Sequence, residues 1–114
     1  MKKICVIIRN LPLGTVKNSE ALRMSVGLTI EEGNQVNVIF TDEGVLTLTQ
    51  LKPEIVGMPS FRKPLETLTA LEIPLYAEKE AVDERKITTP EGVELKTTNE
   101  IYEIIKEQDT IIPF

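Results

Sequence analysis

The chain has no histidine, no tryptophan and a single cysteine, Cys5. Without histidine it lacks the commonest zinc and copper ligand, and the side chain that most often serves as general base near neutral pH. Ser-His and Cys-His nucleophile pairs are excluded with it. One cysteine cannot form an internal disulfide, and thiolate or imidazole metal sites are ruled out on the same grounds, so no metal is expected. Any chemistry is left to carboxylates, Lys, Tyr, Ser, Thr or that one thiol.

Long apolar runs are missing too. The most compact one, ICVII from Ile4 to Ile8, falls far short of the roughly 20 residues needed to cross a bilayer. Two lysines precede it, but Arg9 and Asn10 end it after five residues, too soon for the apolar stretch of a secretory leader. A cytoplasmic location without membrane association is the expectation. Basic surplus is also lacking. A net charge of -5 repels a phosphate backbone, and no Lys/Arg cluster with interleaved aromatics offsets it, so nucleic acid is not an expected partner.

What remains is ordinary for a soluble globular protein: 114 residues, 41% hydrophobic and 27% charged. That is enough for one domain, residues 1–114, around a single core. The β-branched run KKICVIIR reads as a strand buried on both faces of a parallel sheet. The turn-rich NLPLGTVKN follows. Asn18 or Ser19 then caps a helix with Leu22, Val26 and Ile30 at four-residue spacing, and Gly33 ends it. QVNVIF, Gln35 to Phe40, is a second strand, and TDEGVLTLTQL a second short helix capped by Thr41 or Asp42. KPEIVGMPS reads as a surface connection.

A helix over Phe61 to Glu72 comes next, with Leu65, Leu68, Thr69 and Glu72 marking its turns, and IPLYA is strand-like. AEKEAVDERK gives at most two helical turns, TTPEG a loop, VELKT a short strand, and TNEIYEIIKEQ a helix with Ile101, Ile104 and Ile105 on one face. DTIIPF closes as a strand in which Pro113 is tolerable only at the terminus or on an edge. Five strands alternating with helices predict a three-layer α/β/α sandwich around a mostly parallel five-stranded sheet with right-handed crossovers.

Ligands of open α/β sheets gather where strands end and helices begin. Three such loops stand out: Asn10 to Lys17, Thr41 to Gly44, and the stretch after Tyr76. The first, with Asn10, Gly14 and Thr15, holds neither a GxGxxG nor a Walker pattern, so it reads as a connection shaped by Pro12 and Gly14, and no cofactor is expected. In the second, Asp42 and Glu43 are adjacent carboxylates beside Gly44; two neighbours do not make a coordination sphere, and helix capping is the simpler role. In the third, Lys79 and Asp83 attract at i,i+4 while Glu80 and Glu84 repel, the pattern of a solvated face. Glu78, which directly follows the predicted strand, either belongs to that face or projects into the cleft between the loops. Cys5, flanked by isoleucine and valine inside a strand, reads as an inert core thiol.

Taken together, the loops resemble the DsrE/DsrF-like family, which includes the Tus sulfur-relay subunits. The likeness runs over nearly the whole chain: Gly14, the approach from Gly33 to Phe40, Gly44-Val45, the short helix ending Arg85-Lys86-Ile87, and the final DTIIPF. It implies a small α/β protein forming trimers, hexamers or hetero-oligomers, and handling sulfur as a cysteine persulfide passed between proteins. In the sulfur-carrying members a cysteine follows the third strand, eight residues before the glycine of an Arg-Gly-hydrophobic ending. Here that glycine is Lys86, and counting back eight residues reaches Glu78; a shift of one reaches Ala77. A carboxylate cannot form a persulfide.

Three readings follow. The first is a non-catalytic oligomeric subunit or partner related to intracellular sulfur relay. The second is a small-ligand-binding module, or an enzyme of unknown reaction, using Asn10, Gly14, Thr15, Asp42, Gly44 and Glu78, with Glu78 buried for acid work. The third keeps sulfur chemistry on Cys5.

Overall fold

Five consecutive residues, Ile4 to Ile8, are buried, which a strand achieves only with a neighbour on each side and both faces covered. A computed structural model describes residues 2–9, 17–30, 33–48 and 62–114, and this strand, β1 (Lys2–Ile8), lies inside its sheet. The elements that follow are α1 (Lys17–Leu28), β2 (Asn34–Phe40), a 3-10 helix (Asp42–Leu48), α2 (Arg62–Ala70), β3 (Leu75–Glu78), α3 (Lys79–Glu84), β4 (Val93–Lys96), α4 (Thr98–Lys106) and β5 (Thr110–Pro113). The strand order is β4-β3-β2-β1-β5, and every pairing is parallel.

This order decides where the helices go. From β1 to β4 the chain steps in one direction, and with right-handed crossovers its connecting helices collect on one face. The return from β4 to β5 runs the other way and puts α4 on the opposite face. The side chains agree. Val6, Ile8, Val38, Phe40, Leu75 and Ala77 pack with Leu22, Val45, Leu68 and Val82, whereas Cys5, Ile7 and Ile39 pack with Ile101 of α4. The period of two along each strand thus divides the interior into two cores, one on each side of the sheet. The three-layer sandwich is the observed fold.

Several expectations shift in detail. Asn18 does not cap α1. It lies inside the helix, buried, and its Nδ2 donates to Thr47 Oγ1 at 2.7 Å, tying α1 to the 3-10 helix. Ile30 is not a core position: α1 ends at Leu28, and Ile30, in the following turn, is 79% exposed. The second helix is a 3-10 helix, α2 ends at Ala70 with Glu72 in a left-handed turn (φ 58), and Glu78 is the last residue of β3, not its successor. The expected connection at 52–60 lies outside the described residues. Pro113 sits on edge strand β5 opposite Ile7, where the ladder continues past it through Phe114 N–H to Ile7 O at 2.7 Å. Among the described residues no helix is long and apolar enough to cross a membrane.

Candidate functional site

The carboxyl ends of β1, β2 and β3 form a rim, and one glycine holds it together. Thr41 N–H donates to Ile8 O at 3.0 Å, and Gly44 N–H to Thr41 O at 2.8 Å and Arg9 O at 3.1 Å, folding the start of the 3-10 helix back onto β1. The approach is so close that a Cβ on Gly44 would fall on the Ile8 carbonyl, so only glycine fits. The turn also forces Asp42 into the left-handed region (φ 52), which aspartate tolerates better than most residues.

Glu78 meets this loop from β3. Its Oε1 accepts from Asp42 N–H at 3.2 Å and its Oε2 from Thr98 Oγ1 at 2.9 Å. Glu78 is also the N-cap position of α3, with extended backbone and no side-chain cap bond. Its carboxylate therefore bridges the 3-10 helix and α4. Asp42 turns its own Oδ1 toward Arg85 Nη2 at 3.4 Å. Arg85 is further fixed by Ala81 O at 3.3 Å and Glu84 Oε2 at 3.8 Å.

A second carboxylate completes the rim. Thr98 N–H donates to Glu80 at 2.9 and 3.2 Å, one to each oxygen, and this bond holds the Glu80 carboxyl below its ordinary value. Thr97 and Glu100 form a reciprocal capping box, Thr97 N–H to Glu100 Oε1 at 2.9 Å and Glu100 N–H to Thr97 Oγ1 at 3.2 Å, which lowers Glu100 in the same way. The start of α4, where unpaired N–H groups attract anions, is thus occupied by the chain's own carboxylates.

Of the sequence candidates, the structure brings together Asp42, Gly44 and Glu78. Asn10, Gly14 and Thr15 lie outside the described residues. The enclosed Glu78 that acid catalysis would need is not what is found: both oxygens are engaged by donors at a half-exposed position. Thr98 and Arg85, which complete the arrangement, were missed as partners of these residues. The spacing Thr97-x-x-Glu100 is a readable capping signal, but nothing local in the sequence says that Thr98 lies against β3. Among the described residues no group of three or more Cys, Asp or Glu is placed to hold a metal ion.

Cys5 lies far from the rim in the sense that matters. It is 0% exposed under α4, and burial pushes its thiol from 9.0 up to about 12. A thiol in that state is neutral and unreactive.

Comparison with known proteins fits this architecture. No curated protein matches the chain. The crystal structure of the ychN protein of E. coli shares 25% identity with it, superposes with a TM-score of 0.86 and covers 100% of each chain. MTH1491 of Methanobacterium thermoautotrophicum, a protein of unknown function, covers 100% of each chain at a TM-score of 0.74; its 14% identity speaks for the fold alone. The model of the DsrE/DsrF-like family matches residues 2–114. With that match over its whole described length, the chain belongs to the DsrE/DsrF-like family.

Proposed function

We propose that this chain is a subunit of a cytoplasmic sulfur relay that carries no sulfur itself. In this reading it works as a homo-oligomer, trimeric or hexameric, or in a hetero-oligomer with a related subunit that supplies the persulfide cysteine. The observation behind it is the placement of the one thiol. Cys5 is buried in the middle of β1, while the strand end of β3 carries Glu78, hydrogen-bonded through both oxygens. A persulfide relay needs an accessible thiolate on each carrier, and this chain has none to offer.

The turn after α3 supports the alignment that puts Glu78 at the carrier position. Lys86 has φ 52, a conformation that favours glycine, and glycine is what the family pattern has there. The backbone turn is kept although the residue has changed.

Alkylation and light scattering test the proposal together. The native protein should stay unlabelled by iodoacetamide, take up no sulfur from polysulfide, and react only after denaturation. Its scattering mass should be a multiple of the chain mass. Native labelling of Cys5, or a monomer that recovers no related subunit in pull-down, would overturn it.

A further inference from the structure

We propose that the groove between the 3-10 helix and the α3–β4 connection binds a small organic anion with an oxyanion head and a short apolar body. This goes beyond the sulfur-relay reading; the groove shares Arg85 with the rim but does not include Glu78. The groove is an open depression of about 490 Å3, wide enough to take a small molecule along one side.

The lining has one sign of charge. In a chain of net charge -5, it includes Arg85 and Lys86, adds the hydroxyls of Thr88 and Thr89, and contains no carboxylate among the described residues. Its apolar part comes from Leu46, Leu48, half-buried Ile87 and Pro90. The two cations differ in what they already hold. Arg85 is anchored by Asp42 and Glu84, so it fixes the wall in place. Lys86 takes part in no ion pair among the described residues.

Thr88 and Thr89 make no hydrogen bond within the described residues, and both line the same groove as Lys86. Lys86 is set at this point by its left-handed backbone and by its N–H bond to Asp83 O at 3.2 Å. An ammonium with two hydroxyls suits a carboxylate or sulfonate head, through charge-assisted bonds shorter and stronger than neutral ones. The apolar body then lies over Leu48 and Ile87 and leaves water.

The head and the body can be separated by titrating the intact chain with hexanoate, hexanesulfonate and 1-hexanol, followed by amide NMR. Saturable shifts at Leu48 and Lys86 to Thr89 with either acid, and binding of hexanol weaker by about tenfold or more, are expected. A response to hexanoate alone identifies the head as a carboxylate, and a response to both acids as a general oxyanion. Lys86→Gln should weaken acid binding by about tenfold and Lys86→Arg restore it, while both keep the parent spectrum outside the groove. Hexanol binding as tightly as the acids, shifts that map elsewhere, or unchanged affinity in Lys86→Gln would each overturn the proposal.

Discussion

The interior of the sheet and the rim at its carboxyl ends are built on different physics. Inside, Phe40, Ile8, Val38 and Leu68 are fully buried in one hydrophobic cluster. Each such side chain contributes on the order of 2 kcal/mol through burial, with no titrating group involved. At the rim, Asp42 is 77% exposed at its side chain, and the contacts are carboxylates on hydroxyls, amides and a guanidinium. Surface pairs of this kind contribute about 1 kcal/mol or less. The interior therefore sets the fold, while the rim sets the positions of a few polar groups on it.

Gly44 is where that division breaks, and it predicts an effect as large as a core truncation. The residue belongs to the rim by sequence, yet it is buried against β1 with no room for a Cβ beside the Ile8 carbonyl. Gly44→Ala must push the 3-10 helix off the strand, at a loss on the order of 3 kcal/mol or more. Thermal melting checks this. A variant melting within about 2 °C of the parent would mean that the loop moves aside freely.

Of comparable size is a test of the interior alone. Phe40→Ala should cost about 3–5 kcal/mol, because the side chain is fully buried in the larger core and leaves a cavity. Asp42→Asn, at the rim, should cost about 1 kcal/mol or less, since it weakens one exposed ion pair and leaves the Asp42 N–H bond to Glu78 intact. Urea denaturation measures both. Equal losses in the two variants would erase the distinction between the regions.

The same division explains what could be read from the sequence. The continuous apolar run of β1 and the Ile101, Ile104, Ile105 face of α4 are consequences of burial, and burial leaves a trace in the order of residues. The parallel sheet, its helices and the inert setting of Cys5 were therefore legible. Asn18 was misread because its cap-like position before a helical pattern has a second use, a buried bond to Thr47 in an element 29 residues away. Ile30 was misread because a four-residue spacing continues one step past the point where the helix stops. The rim was legible only in part. Asp42, Gly44 and Glu78 stand out as strand-end residues, but their partners Arg85 and Thr98 come from elsewhere in the sequence, and hydrogen bonds between distant segments leave no periodicity. Gly44 itself gave no sign that its importance is steric.

The smallest effect is the one that belongs to the rim alone, and acid isolates it. Glu80 and Glu100 are held below the ordinary carboxylate value of 4.5 by bonds to Thr98 and Thr97 that exist only in the folded chain. A folded value below the unfolded one means that the unfolded state binds protons first as pH drops. The stability these bonds contribute is thus fully present above about pH 4.5 and is lost as pH falls through the lower folded values. Glu80→Gln removes one of the two titrations, so its urea midpoint should fall less steeply with acid than the parent's. Phe40→Ala, in contrast, should give a curve displaced downward and parallel to the parent's, because no titrating group changes. If Glu80→Gln kept the parent's slope, its bond to Thr98 would contribute nothing to folding in solution, and the rim would be held by the Glu78 bridge and the turn at Gly44.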